Sequence, residues 1–175
     1  MNWFIYDLDI SKFTEELYDI GINKIPYKRY KTTSKTVESN PEYSKDIETS
    51  MLIYSEKDGC FDIPLVKSII ELLPFKPNTA SFIKLNPNVV MPIHRDDPVL
   101  RKSHLIIPIC PLDDTYTTTK FYDEDKNPID EAEFSIKPVI INTQERHGLK
   151  NNEHTRIQFN LGFSEGIEDW YEISR

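Results

Sequence analysis

"HTRIQFNLGF", residues 154–163, alternates without a break. Thr155, Ile157, Phe159, Leu161 and Phe163 fall on one side of an extended chain, and Arg156, Gln158, Asn160 and Gly162 on the other. A period of two marks a β-strand whose apolar face is buried. That face is expected to pack against helices. The Arg–Gln–Asn face points either to water, the commoner arrangement in an antiparallel sheet, or into a polar cavity. The chemistry-bearing residues upstream favour the cavity.

Working outward, six further strand-like runs precede this one: "TASFIKL" (79–85), "VVMPIH" (89–94), "SHLIIPI" (103–109), "TTTKFYD" (117–123), "AEFSI" (132–136) and "PVIIN" (138–142). Pro, Asn, Asp and Gly turns separate them. So many short strands in succession predict a β-sandwich or barrel. Before residue 78 the signals are helical. "DISKFTEELYDIG" (9–21) puts Ile10, Phe13, Leu17 and Ile20 on one face, with Gly21 as a stop. "DIPLVKSIIELLP" (62–74) offers Asp62 as N-cap, Pro64 in the first turn, and Leu65, Ile69 and Leu72 at helical spacing. Residues 24–58 are polar and carry Tyr27, Tyr30, Tyr43 and Tyr54. They read as loops with a short strand or two around "SMLIYSE" (50–56), and as either a structural segment or a flap over a substrate. With no repeat and no low-complexity linker, the expectation is a single domain over 1–175. Residues 1–78 form a helical and loop support, and residues 79–163 form the β core.

The composition fits that picture. A chain of 175 residues with 38% hydrophobic and 11% aromatic content can bury a sizeable core. Its formal net charge of −8 argues against phosphate-driven nucleic-acid binding. Cys60 and Cys110 form no CxxC pair, which suits a reducing compartment and offers no zinc framework. "MNWFIYDLDI" (1–10) has no basic region ahead of an apolar run, and no stretch reaches the roughly 18 apolar residues of a membrane span. The expectation is a soluble cytoplasmic protein that partners neither nucleic acid nor membrane. Its oligomeric state is not legible.

"MPIHRDDPVL" (91–100) holds the chemistry. On an extended strand His94 and Asp96 share a face while Arg95 points away. An imidazole nitrogen and a carboxylate oxygen then reach one ion, with Asp97 as a competing carboxylate. His147, in "NTQERHGLKNN" (142–152), follows an apolar strand and supplies a third ligand. Two His and one carboxylate form the facial triad of non-haem Fe(II), which leaves coordination positions open; zinc remains compatible with the same residues. Arg156 comes nine positions after His147 (156 − 147) and opens the polar face of the last strand. Its guanidinium keeps its charge when buried and pairs bidentately with a carboxylate. Gln158 and Asn160 either line the same cavity or satisfy neighbouring backbone. Arg101, Lys102 and Arg146 lie near the expected mouth, where they meet an acidic substrate or simply solvate the surface. His154 sits in an exposed turn.

"FIKLNPNVVMPIHRD" (82–96), "HLIIPI" (104–109) and "RHGLKNNEHTRIQFNLGF" (146–163) resemble the H-x-D…H…R pattern of Fe(II)/2-oxoglutarate-dependent oxygenases. The likeness is greatest to the aspartyl/asparaginyl β-hydroxylase-like branch, with similarity to prolyl hydroxylases, and it covers roughly residues 79–163. The resemblance implies a mainly β fold, a double-stranded β-helix (a jelly-roll or cupin-like barrel) with the N-terminal helices packed on one sheet. It implies that His94, Asp96 and His147 bind Fe(II), and that Arg156 pairs with the distal carboxylate of 2-oxoglutarate. It further implies that His104 contacts this co-substrate; the other reading of His104 is a core histidine. Many relatives carry a hydroxyl residue two after the Arg, where this chain has Gln158. Many members of the aspartyl/asparaginyl branch lack the Asp ligand, which this chain has. The implied reaction consumes O2 and 2-oxoglutarate, releases succinate and CO2, and hydroxylates an unactivated C–H of an amino acid, a peptide residue or a small metabolite. The alternative is a non-oxidative cupin-like metalloprotein, an isomerase, hydrolase or metal-dependent binding module.

Overall fold

The structure is a computed structural model that describes residues 1–30, 51–110, 118–133 and 137–175. Tyr43 and the end of the "AEFSI" run lie outside the described residues. Eleven strands are described: β1 (Trp3–Ile5), β2 (Lys28–Arg29), β3 (Met51–Ser55), β4 (Thr79–Leu85), β5 (Val90–His94), β6 (Ser103–Cys110), β7 (Thr118–Tyr122), β8 (Pro128–Glu133), β9 (Val139–Asn142), β10 (Arg146–Lys150) and β11 (Arg156–Phe163). They form two antiparallel sheets. The larger runs β1-β9-β6-β11-β4-β3-β2 and the smaller β5-β10-β7-β8. Helices α1 (Thr14–Asp19), α2 (Pro64–Ile70) and α3 (Ile167–Ile173) accompany them. Among the described residues no helix is long and apolar enough to cross a membrane.

β11 lies at the centre of the larger sheet between β6 and β4, and all eight of its residues are buried. Its two faces are buried for different reasons. Ile157, Phe159, Leu161 and Phe163 join Leu17, Ile20, Val66, Ile69 and Trp170 in one cluster, so the helices cover this side of the sheet. Phe159 stacks on Phe82 with ring centroids 4.7 Å apart, and Phe163 meets Trp170 edge-on at 4.8 Å. Each such side chain contributes roughly 1.5–3 kcal/mol through its burial. Arg156, Gln158, Asn160 and Gly162 face the other way, together with the partners opposite them: Ile83, Ser81, Ile106 and His104. This is the barrel interior. Two apolar clusters fill it: Met51, Ile83, Leu85, Val89 and Leu149, and Ile106, Phe121, Ala132, Val139 and Ile141. The cavity reading of the polar face, rather than the solvent one, is the arrangement found.

Several local expectations differ from the structure. The first helix does not stop at Gly21; it opens with a 3-10 turn and runs through Gly21 as a π-helical turn to Lys24. The N-cap of α2 is Ile63 rather than Asp62, with Pro64 at the first position. α2 ends at Ile70, so Leu72 lies past it and is exposed, while Val66 carries the buried face instead. β8 begins at Pro128, ahead of the "AEFSI" run.

Candidate metal centre

β10, "RHGLK", sets the centre. It pairs on one side with β5 and on the other with β7, and its register places His147 directly opposite His94. The pairing slips between His147 and Leu149. Gly148 sits at that slip, where an added Cβ would come within 3.1 Å of the Met91 carbonyl oxygen. A side chain here would force the β5 backbone back by a few tenths of an ångström. The two imidazole rings lie 4.4 Å apart at 48°.

The rings are oriented in parallel ways. His94 Nδ1–H donates to the carbonyl of Pro92 at 2.8 Å, and His147 Nδ1–H donates to that of Glu145 at 2.9 Å. Each bond reaches two residues back along the chain, and each leaves Nε2 with its lone pair available, the arrangement that prepares a histidine for a metal. His147 is buried, and that burial pushes its pKa down to about 3; the field of His94 acts in the same direction. A neutral imidazole is the ligating form.

Asp96 is not on the strand, as the alternation argument expected, because β5 ends at His94. A loop delivers the carboxylate. The Asp96 N–H donates to the Thr143 carbonyl at 3.0 Å, Thr143 N–H to that of Lys102 at 3.2 Å, and Lys102 N–H to that of Phe163 at 2.7 Å. The loop is thereby stapled to the β9–β10 turn and to the end of β11. Asp96 Oδ1 lies 3.9 Å from His94 Nε2, and ligand atoms of His94, Asp96 and His147 all fall within 4.8 Å of one another. Burial alone would push this carboxyl up; the combined fields of His104, His147, Arg101 and His94 outweigh it and hold the pKa below the usual range. Asp97, the competing carboxylate, is exposed and accepts the Val99 N–H at 2.8 Å in a turn.

Other singled-out residues divide into two groups. His104 Nε2 stands 3.6 Å from Asp96 Oδ2, and Arg101 Nη1 3.7 Å from Asp96 Oδ1, so both join the centre. Burial lowers the His104 pKa to about 4. Arg156, Gln158 and Asn160 are buried on the interior face, where Gln158 Nε2 donates to Asn160 Oδ1 at 2.8 Å. Burial lowers the Arg156 pKa to about 9, which leaves it cationic at neutral pH. Arg95 and Arg146, the neighbours of the two histidines, instead share Glu124, each at 2.8 Å. His154 is exposed, and Cys60 and Cys110 are free thiols. Sequence reasoning missed β10 as a strand, and it missed Thr143 and Gly162 as parts of the centre. Gly162 gave a signal, a glycine inside an otherwise regular strand on its polar face; Thr143 gave none. A groove of about 390 Å³ between residues 6–18 and Pro108, Ile109, Lys137 and Pro138 shares no residue with this centre.

No protein-family model matches the chain, and no curated protein matches its sequence. Solved structures do resemble it. The non-haem α-ketoglutarate-dependent carbocyclase SnoK from nogalamycin biosynthesis superposes with a TM-score of 0.60 at 8% identity, over 98% of this chain and 86% of that one. A prolyl-4-hydroxylase from Pseudomonas putida gives 0.55 at 9% identity, over 93% and 92%. A Trichoplax adhaerens prolyl hydroxylase, solved with a hypoxia inducible factor peptide fragment, gives 0.53 at 10% identity, over 99% and 87%. At such identities the likeness is one of fold. The chain folds as a double-stranded β-helix.

Proposed function

We propose that the chain is an Fe(II)- and 2-oxoglutarate-dependent oxygenase that hydroxylates an unactivated C–H of an amino acid, a peptide residue or a small metabolite, releasing succinate and CO2. One observation carries the reading: two imidazoles and one carboxylate bring ligand atoms within 4.8 Å of one another inside a double-stranded β-helix, with both Nδ1–H groups engaged by backbone carbonyls. That donor set fits Fe(II), since a facial triad leaves the opposite positions open to other ligands. When bound, Fe(II) would supply the activation of O2 that no side chain can provide.

The protein's own part is binding, orientation and exclusion of water. His94, Asp96 and His147 would hold the metal from one side. Arg156, cationic and enclosed, would take the distal carboxylate of 2-oxoglutarate, with Gln158 in place of the hydroxyl residue seen in the resembling family. The apolar clusters on either side of the polar stripe would keep bulk water from the reacting centre. The free thiols suit the reducing cytoplasm, where Fe(II) stays reduced. The catalytic core in this reading is residues 79–163, and the preceding segment is its support.

Titration of anaerobic Fe(II)-loaded protein with 2-oxoglutarate tests the reading. A weak visible charge-transfer band is expected, weakened in Arg156→Ala and abolished in His94→Ala. Metal binding without any band would instead favour the non-oxidative cupin-like metalloprotein.

A further inference from the structure

We propose that His104 is a positioning residue for Asp96 rather than a contact of the co-substrate: its imidazole holds the outer carboxylate oxygen, so that Asp96 offers a single oxygen to the metal. This inference rests on the reading of His94, Asp96 and His147 as a metal site.

The two oxygens of Asp96 have different surroundings. Oδ1 is the one near His94 Nε2, at 3.9 Å. Oδ2 is the one that His104 Nε2 faces, at 3.6 Å. A shift of roughly 0.6 Å brings that second pair to ordinary hydrogen-bond length. His104 Nε2 is fully buried and makes no hydrogen bond to the protein, so the approach to Oδ2 is the one on hand to satisfy it. Arg101, the other group near Asp96, approaches Oδ1 and is more than a third exposed, so solvent screens it. A carboxylate with one oxygen held by an N–H is biased to bind through the other, because the hydrogen bond takes up electron density that chelation by both oxygens would need. With a metal bound, this would favour leaving a coordination position for an incoming ligand.

The sequence around His104 is arranged to place this ring. β6 and β11 pair so that His104 stands directly opposite Gly162. A Cβ at Gly162 would come 2.9 Å from His104 Nε2, 2.8 Å from Arg101 Cγ and 2.4 Å from Thr79 Oγ1. Three polar side chains converge on the space this glycine leaves open. A larger residue there must push the imidazole out of line with Asp96.

The test uses Co(II), whose visible d–d spectrum reports coordination number, in the anaerobic full-length protein. His104→Leu, His104→Gln and Gly162→Ala are compared with wild type for Co(II) affinity, band intensity and 2-oxoglutarate affinity. Loss of the outer hydrogen bond is expected to weaken Co(II) binding by about 10- to 100-fold and to alter the d–d bands before any 2-oxoglutarate is added. His104→Gln, which keeps a donor amide, should recover part of the affinity, and Gly162→Ala should resemble His104→Leu. Unchanged Co(II) affinity and spectrum in the His104 variants, with 2-oxoglutarate binding lost, would overturn the inference and return His104 to the co-substrate. Failure of the wild type itself to bind Co(II) would overturn the metal reading, a separate result. Should His104→Leu fail to fold, the Gln and Gly162 variants decide the matter alone.

Discussion

Lowering the pH from 7 to 5 in the presence of a chelator should destabilise the protein through two buried histidines. His147 and His104 have folded pKa values pushed down to about 3 and about 4 by burial, against 6.5 for an exposed histidine. Below pH 6.5 the unfolded chain takes up protons that the folded chain refuses, so stability falls as pH falls. At pH 5 each histidine has cost about 2 kcal/mol relative to neutral pH, and the two together about 4 kcal/mol. The loss would go on until the folded pKa values are reached. The window separates these groups from the carboxylates. Asp96 has a lowered pKa, so its stabilisation is present above 3.8 and is lost only below it. Urea unfolding at pH 7 and at pH 5 measures the difference, with wild type compared against His147→Leu. Removing one histidine should halve the pH-dependent loss. An unchanged urea midpoint between the two pH values, or a variant as pH-sensitive as wild type, would refute the burial argument.

Three further outcomes are expected. Arg156→Met should weaken 2-oxoglutarate binding by about two orders of magnitude, the scale for truncating a buried charged partner, and leave Co(II) affinity within threefold, both read by spectroscopic titration. Phe159→Ala removes a side chain with no exposed surface that stacks on Phe82; it should cost about 3–5 kcal/mol in urea unfolding, and a loss below about 1 kcal/mol would mean that the sheet–helix interface is not packed as described. Glu124→Gln breaks two ion pairs, but Glu124 is 74% exposed. It should cost under about 1 kcal/mol and leave metal affinity unchanged; a marked affinity loss would mean that Glu124 positions the histidines through Arg95 and Arg146.

Several strands were legible for two reasons: β11 keeps strict period-two alternation, and β4, β6 and β9 are short, apolar-rich runs bounded by Pro, Asn and Asp turns. β10 was illegible for a physical reason. It is five residues long, carries two charges at its ends, and contains Gly148, so it has no apolar alternation to detect; its strand form is imposed by pairing with β5 and β7 on both sides. β1 is three residues, too short for a pattern, and it is fixed by pairing with β9, far along the chain, and by contacts of Trp3 and Phe4 with equally distant residues. α3 was missed although Ile167 and Trp170 are three apart and both buried; the Gly166 N–H bond to Asp169 that starts it was readable as a capping signal. The ligand types were legible and the path of one was not. His94 lies on the strand as the spacing implied, whereas Asp96 arrives by a loop whose position depends on the carbonyl of Thr143, a contact that no local pattern announces.

The burial of β11 on both faces bears on why this interior is polar at all. A sheet covered by helices on one side and by a second sheet on the other has every reason to be apolar throughout, and its helix-facing side is. The inner side instead carries Arg156, Gln158 and Asn160, and two buried atoms there, Gln158 Oε1 and His104 Nε2, make no hydrogen bond to the protein. Leaving such atoms buried and unsatisfied costs about 1–3 kcal/mol each, and aliphatic residues of similar size would remove the cost. A barrel selected for stability alone would discard them. The stripe runs from Arg156 at one end of β11 to Gly162 and His104 at the other, and Asp96 lies beside that second end. Polar groups that weaken the core, and that end beside two histidines and a carboxylate able to hold an ion, are what the proposed oxygenase site would require.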